Sequence, residues 1–212
     1  MYELLRQKMV QKYVIDVGVN DQQVISAMLS IPRHLFVEGA LDHQAYKGGS
    51  IPIGYGQTIS HPTTVAIMSQ ILEISGEEKI LEIGTGSGYQ AAVLAEMGAK
   101  VFTIERIPEL ADRAQKLLSS LGYYSVAIRT GDGSLGWSEH APYDRIIVTA
   151  GSPVLPDSLI EQLANEGKLI IPVGDRENQN LHIISKVNGE LTIQKEKWRR
   201  FVPLIGRKGW HL

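Results

Sequence analysis

The stretch Lys79-Ile80-Leu81-Glu82-Ile83-Gly84-Thr85-Gly86-Ser87-Gly88 decides the fold of this 212-residue chain. A short apolar run ends in an acid and then in a glycine-rich turn. Helical periodicity follows, and the next apolar run closes on a second acid, Glu105. Strand, glycine turn, helix, strand and acid together build a pocket for a nucleoside-bearing ligand. Glycines let the backbone approach such a ligand closely, because they carry no Cβ. The acids can accept from ribose hydroxyls and attract a cation.

Outward from that stretch the same alternation continues. Before it, Pro62 suits the first turn of a helix, capped by Ser60 or His61 and carrying Val65, Met68 and Leu72. After it, the patterns predict a helix over 89–97, a strand over 100–105, a helix over 108–121 and a strand near 126–129. A strand over 145–149, a helix over 156–164 and a strand over 168–173 follow. Strands alternating with helices indicate a mainly parallel sheet covered on both faces. The segments 182–187 and 191–197, joined by Asn188-Gly189, predict an antiparallel hairpin at the end. Pro172, inside an apolar run, predicts a sheet edge or a bulge.

The N-terminal part reads differently. Two helices are expected, over 2–14 and 21–30, the second capped by Asn20 or Asp21. Segment 31–60 is rich in glycine and predicts loops with short strands, and ordered loops of that length are often functional. The expected organisation is one domain over 1–212. A helical and looped elaboration occupies 1–60, a cofactor-binding core 61–175 and antiparallel strands 176–212.

Composition narrows the function classes. The formal charge of −2 gives no global drive toward nucleic acid or an anionic membrane. No cysteine is present, which excludes disulfides and thiolate chemistry and fits a reducing cytoplasm. No apolar run approaches the ~20 residues of a membrane span, and the first residues lack a signal-peptide pattern. The six histidines form no compact metal-ligand pattern, so no metal is expected. A GxSxG elbow is absent. The basic cluster Lys195, Lys197, Arg199, Arg200, Arg207 and Lys208 reads as a solvated face, with a patch facing RNA or an acidic peptide as the alternative.

Two site segments stand out. In the first, the spacing Gly84, Gly86, Gly88 departs from the GxGxxG of dinucleotide sites. An acid directly before the loop, Glu82, suits a cationic cofactor better than a pyrophosphate. That points to S-adenosylmethionine, which carries a sulfonium and an ammonium, and so to a methyltransferase. Gly131-Asp132-Gly133 falls at the same sheet edge, where Asp132 can accept from an adenine amine. Thr149 and Ala150 end the next strand there. The second segment runs from Ile51 to Pro62 and brings the hydroxyls of Thr58 and Ser60 to a helix N-terminus. An incoming carboxylate would also meet free N–H groups at that point.

Taken together the motifs resemble the protein-L-isoaspartate (D-aspartate) O-methyltransferase family. They are Pro32-Arg33-x-x-Phe36-Val37, Gly56-Gln57-Thr58-Ile59-Ser60-x-Pro62, Leu81 to Tyr89 and Gly131-Asp132-Gly133. Ile147-Val148-Thr149-Ala150, Gly167 to Gly174 and Arg200-Phe201-Val202-Pro203-Leu204 complete the set. The resemblance runs from about 32 to 204, with little carried by the first 20 residues or by 206–212. It implies a Rossmann-like fold and methylation of the α-carboxyl of L-isoaspartyl residues in damaged proteins, with D-aspartyl residues left open. The ester then closes to a succinimide, whose hydrolysis partly restores aspartate.

The resemblance further implies Ser60 as the active-site hydroxyl. Glu82, Gly84, Thr85, Gly86, Glu105, Asp132, Gly133 and Thr149 fall where the family holds S-adenosylmethionine. Thr58, Ser60, His61 and Val202 fall near the isoaspartyl group, His61 through its backbone N–H. The expected partners are isoaspartyl peptides and proteins, with no nucleic acid or membrane, and the chain is expected to be a monomer. An RNA or small-molecule methyltransferase and a non-catalytic cofactor-binding module are the alternatives. A dehydrogenase fits poorly because the glycine spacing is wrong.

Overall fold

The computed structural model describes residues 1–198 and 200–211. Its N-terminal part holds α1 (Tyr2–Val10), continued by one π-helical turn (Gln11–Ile15), and α2 (Gln22–Ser30). Asp21, not Asn20, caps α2, its carboxylate accepting from the backbone N–H of Gln23 and Val24. Two 3₁₀ turns and a small hairpin, β1 (Ile51–Gly54) with β2 (Gln57–Ile59), fill the glycine-rich segment.

The rest is α3 (Pro62–Ile71), β3 (Lys79–Ile83), α4 (Tyr89–Glu96), β4 (Lys100–Glu105), α5 (Pro108–Ser120), β5 (Ala127–Thr130) and β6 (Tyr143–Val148). Then come α6 (Asp157–Glu161), β7 (Leu163–Gly174), β8 (Gln179–Val187) and β9 (Glu190–Lys197). Seven strands form one sheet in the order β5-β4-β3-β6-β7-β8-β9. β5, β4, β3, β6 and β7 run parallel, while β8 and β9 are antiparallel. The expected mainly parallel sheet with antiparallel C-terminal strands is therefore what forms.

Alternation along each strand divides the core between the two faces of the sheet. Ile80, Val101, Ile147 and Ile170 pack with Val24, Met28, Val65 and Val93 on one side. Leu81, Ile83, Ile146, Val148 and Leu169 pack with Leu159 and Leu204 on the other. β3 and β6 are neighbours from which the chain winds in opposite directions. Ligands of open α/β sheets bind beyond the strand ends at such a switch point. β9 closes one side of the sheet with exposed Lys195 and Lys197, charges that discourage pairing with another chain. Arg199 of the basic cluster lies outside the described residues.

Three sequence expectations need correction. α6 stops at Glu161, well short of 164, and β7 starts at Leu163, five residues before 168. The cause is an irregularity in the β6–β7 pairing, where Tyr143 faces Leu163 but Arg145 faces Lys168. The extra residues include Glu166 at φ +62°, and such a bulge breaks the alternation that marks a strand. Pro172 lies at neither an edge nor a bulge, since β7 is an interior strand and Pro172 pairs in register with Leu181. Its missing N–H faces the β6 side, beyond the last β6–β7 pair, and its carbonyl accepts there from Ser152 N at 2.9 Å.

Candidate active site

The glycine turn after β3 is held from three sides. Gly84, Gly86 and Gly88 all have positive φ, at +97°, +54° and +87°. Thr149, just past β6, places its hydroxyl 3.0 Å from Ile83 O and 2.8 Å from Gly84 O. A Cβ on Gly84 would overlap that hydroxyl. Glu105, at the end of β4, accepts from Gly86 N at 2.8 Å with one oxygen and from Ile107 N at 3.0 Å with the other. One carboxylate thus fixes both the turn and the start of α5, and it retains lone pairs for further donors.

Glu82 lies deeper. It is fully buried, and one oxygen accepts from the Thr103 hydroxyl at 2.6 Å. Thr103 faces Glu82 across the β3–β4 ladder, and its oxygen lies 2.7 Å from the Thr85 hydroxyl. The Thr85 and Thr103 hydroxyls therefore link the glycine turn to the acid. The second Glu82 oxygen has no protein partner.

Burial pushes the Glu82 carboxyl up to about 8. The Glu105 charge adds to that, while the Thr103 hydrogen bond pulls the other way. The folded chain therefore holds this proton to about pH 8, whereas an unfolded glutamate releases it near ~4.3. The resulting stability is complete below the unfolded value and is lost as pH rises through this window. Glu82→Gln should flatten the fall in urea midpoint between pH 5 and pH 8. Equal slopes for the two proteins would contradict this assignment.

These residues border a cleft enclosing about 820 Å³ of empty space, its open mouth included. Gly84, Thr85, Gly86, Glu105, Gly133 and Thr149 line it, as do Thr58, Ser60 and Val202. A second cavity adjoins it and shares Thr58, Ser60, Thr149, Val202 and Pro203, while His61 and Arg200 line the second alone. Thr58, Ser60 and Val202 therefore stand on the wall between the two spaces, where groups bound in each would meet.

Local structure explains the wall. β2 leads through Ser60 into α3, whose cap is the His61 ring, accepting from Thr63 N at 3.1 Å. Of the two caps the sequence allowed, His61 takes the role, so the Ser60 hydroxyl is not spent on capping. Thr63 in turn donates to Tyr13 O at 2.7 Å, and the Tyr13 ring meets His61 edge-on. The N-terminal helical segment thus buttresses this corner. Val202 and Pro203 are fixed by Gly151, whose N–H donates to Val202 O at 2.7 Å and whose carbonyl accepts from Leu204 N at 2.8 Å.

Asp132 is not brought into the cleft. One oxygen accepts from Ser134 N and Oγ, at 2.9 and 2.6 Å, and the other from Arg207 N at 2.8 Å. Ser134 Oγ also accepts from Lys208 N at 3.0 Å. The carboxylate anchors the C-terminal segment that places Ile205 over the cleft, and the neighbouring Gly133 forms the lining. A Cβ on Gly206 would overlap Asp132, so this anchor also depends on a glycine. Glu82 likewise stands behind the lining residues. Among the described residues no His, Cys, Asp and Glu cluster able to hold a metal occurs.

Comparison with known proteins fits this geometry. Residues 5–209 match the family model described as protein-L-isoaspartate(D-aspartate) O-methyltransferase. The chain belongs to this family. The match reaches 27 residues before 32 and five past 204, in keeping with the packing of Tyr13 at the Ser60 corner and the hydrogen bond from Arg207 N to Asp132. Protein-L-isoaspartate O-methyltransferase 2 of Geotalea uraniireducens is 52% identical over 98% of this chain and 96% of its own length. The Geobacter metallireducens protein-L-isoaspartate O-methyltransferase is 50% identical over 99% and 97%. A solved protein-L-isoaspartate O-methyltransferase superposes with a TM-score of 0.87 at 27% identity, over 99% of this chain and 67% of that one. The fold alone is shared with a Plasmodium falciparum beta-aspartate methyltransferase in complex with S-adenosyl-L-homocysteine. That pair has a TM-score of 0.78 and 24% identity, over 96% and 98% of the two chains.

Sequence reasoning missed Thr103, Gln179 and Arg33. Thr103 is a small polar residue inside a strand, recognisable only once Glu82 is known to face it. Gln179 donates to Asp175 O and accepts from Phe201 N, which steadies the chain directly before Val202. Arg33 was visible as part of a motif, but its burial was not.

Proposed function

We propose that this chain transfers a methyl group from S-adenosylmethionine to the α-carboxyl of isoaspartyl residues at the wall formed by Thr58, Ser60 and Val202. The family's reaction initiates repair, since the ester collapses to a succinimide that hydrolyses in part to aspartate. One observation carries the site reading: Ser60 lines both the glycine-turn cleft and the adjoining cavity.

The residues fit the cofactor. Glu105 keeps lone pairs for ribose hydroxyls beyond its two backbone contacts, and Gly84, Gly86 and Gly133 leave backbone room in the cleft. When bound, the cofactor supplies a methyl already activated on sulfonium, so the protein's contribution is alignment and exclusion of water. The acceptor carboxylate is ionised at neutral pH and needs no base. Ser60 and Thr58 donate to it without taking a proton, and the backbone N–H groups at the start of α3 add to the cradle. Val202 and Pro203 give the acceptor an apolar wall. Asp132 acts through Gly133 and Ile205, as the anchor of the roof over the cleft.

The chain works as one domain over 1–212, with 61–175 as the cofactor core between the N-terminal and C-terminal elements. Action as a monomer is part of this reading. No helix among the described residues is long and apolar enough to cross a membrane. A cytoplasmic place is supported by the lack of cysteine, and action without nucleic acid by the near-neutral charge. Ser60→Ala should lower kcat on an isoaspartyl peptide by about tenfold, the weight of one hydrogen bond to a charged group, with cofactor affinity unchanged. Parallel loss of cofactor affinity by calorimetry would remove Ser60 from this role.

A further inference from the structure

Arg33 is the largest fully buried side chain among the described residues. Its Nε donates to Ala45 O at 2.9 Å and its Nη2 to Ser60 O at 2.7 Å. The guanidinium lies 4.6 Å from the centre of the Tyr89 ring, and Tyr89 lines the cofactor cleft. Its Nη1 has no hydrogen-bond partner, and no carboxylate forms an ion pair with it among the described residues. Arginine stays protonated in proteins. A whole positive charge is therefore buried beside the acceptor site with no anion to balance it.

Uncompensated buried cations are costly, and proteins normally pair them. This one is tied to the carbonyl of Ser60, the serine that lines both cavities. Its field reaches the Ser60 hydroxyl through protein, where charges interact more strongly than across water. An anion placed against Ser60 would supply the missing counter-charge.

We infer that Arg33 is a positioning residue for the acceptor: it fixes the Ser60 backbone and supplies the positive charge that draws the isoaspartyl α-carboxylate to it. The inference rests on the site reading given above. It has a directional consequence. Methylation converts the carboxylate to a neutral ester, so the attraction that seats the substrate disappears in the product and favours its release.

The test uses the full chain saturated with S-adenosyl-L-homocysteine and two peptides, one isoaspartyl and one identical but with the α-carboxyl as carboxamide. Wild type should bind the carboxylate at least about tenfold more tightly, ~1.4 kcal/mol. Arg33→Met should bring the two affinities to within about twofold, leave S-adenosyl-L-homocysteine binding unchanged and raise KM more than it lowers kcat. Arg33→Lys, which keeps the charge but not both carbonyl contacts, should retain most of the preference while kcat falls. Ser60→Ala should retain part of the preference, because the charge remains.

Equal binding of both peptides by wild type would overturn the site reading and this inference with it. A wild-type preference that survives intact in Arg33→Met would overturn the inference alone. Should Arg33→Met fail to fold, loss of all preference in Arg33→Lys or in Ser60→Ala would overturn it equally.

Discussion

Glu105→Ala is expected to weaken S-adenosylmethionine binding by about 100-fold, ~2.7 kcal/mol. The carboxylate accepts from Gly86 N and Ile107 N, and in the proposed complex it also accepts from the ribose hydroxyls. Hydrogen bonds to a charged acceptor are worth ~1.5–3 kcal/mol each, and an unsatisfied buried N–H adds a further cost. Alanine loses the ribose contacts and releases the glycine turn at the same time. Glu105→Gln should fall between the two proteins, because an amide oxygen serves only some of these donors. Isothermal calorimetry with S-adenosyl-L-homocysteine reads the effect. An affinity within about threefold of wild type would show that the ribose is held elsewhere.

Gly84→Ala should cost ~2–4 kcal/mol of folding stability, the range set by a strained left-handed residue plus a forced shift in a packed site. Gly84 has φ +97°, a conformation a side chain adopts only under strain, and the added Cβ would overlap the Thr149 hydroxyl. That hydroxyl is the clasp between β6 and the glycine turn, so moving it frees the turn. The double variant Gly84→Ala, Thr149→Ala separates the two causes. Removing the hydroxyl relieves the overlap but not the φ strain, so urea midpoints should recover only in part. Full recovery would make the overlap the whole effect, and additive losses would mean that the two residues do not meet.

What the sequence could reveal follows from how local each signal is. The run from Lys79 to Gly88 carries its own strand period, breaker residues and acid, and β3 and β4 fall at 79–83 and 100–105 as the pattern predicts. Asn188-Gly189 is equally local: both residues have positive φ, at +52° and +81°, as a tight hairpin turn demands. The bulge in β7 was not legible, because Ala164 to Gly167 breaks the alternation by which strands are recognised. Pro172 misled because its missing N–H matters only where a neighbouring strand presents a partner, and β6 has ended there.

The site divides in the same way. Ser60 and Glu105 sit at ends of elements and Thr58 in the short strand just before Ser60, where motif and geometry coincide. Asp132 looked like an adenine acceptor because its place after a parallel strand is right. Its carboxylate is claimed by Ser134 and Arg207, the latter 75 residues away in the chain. Arg33 shows the limit most plainly. Nothing in a sequence says that a charge will be wholly buried, since arginines are mostly exposed. Only the packing of Ala45, Ser60 and Tyr89 around it reveals a cation waiting beside the acceptor.

The most direct test of the account is methyl transfer from labelled S-adenosylmethionine to a matched pair of peptides, one isoaspartyl and one normal aspartyl. The account predicts base-labile label on the isoaspartyl peptide alone, and its loss in step with kcat in Ser60→Ala. Equal labelling of both peptides, or none on either with cofactor binding intact, would contradict it.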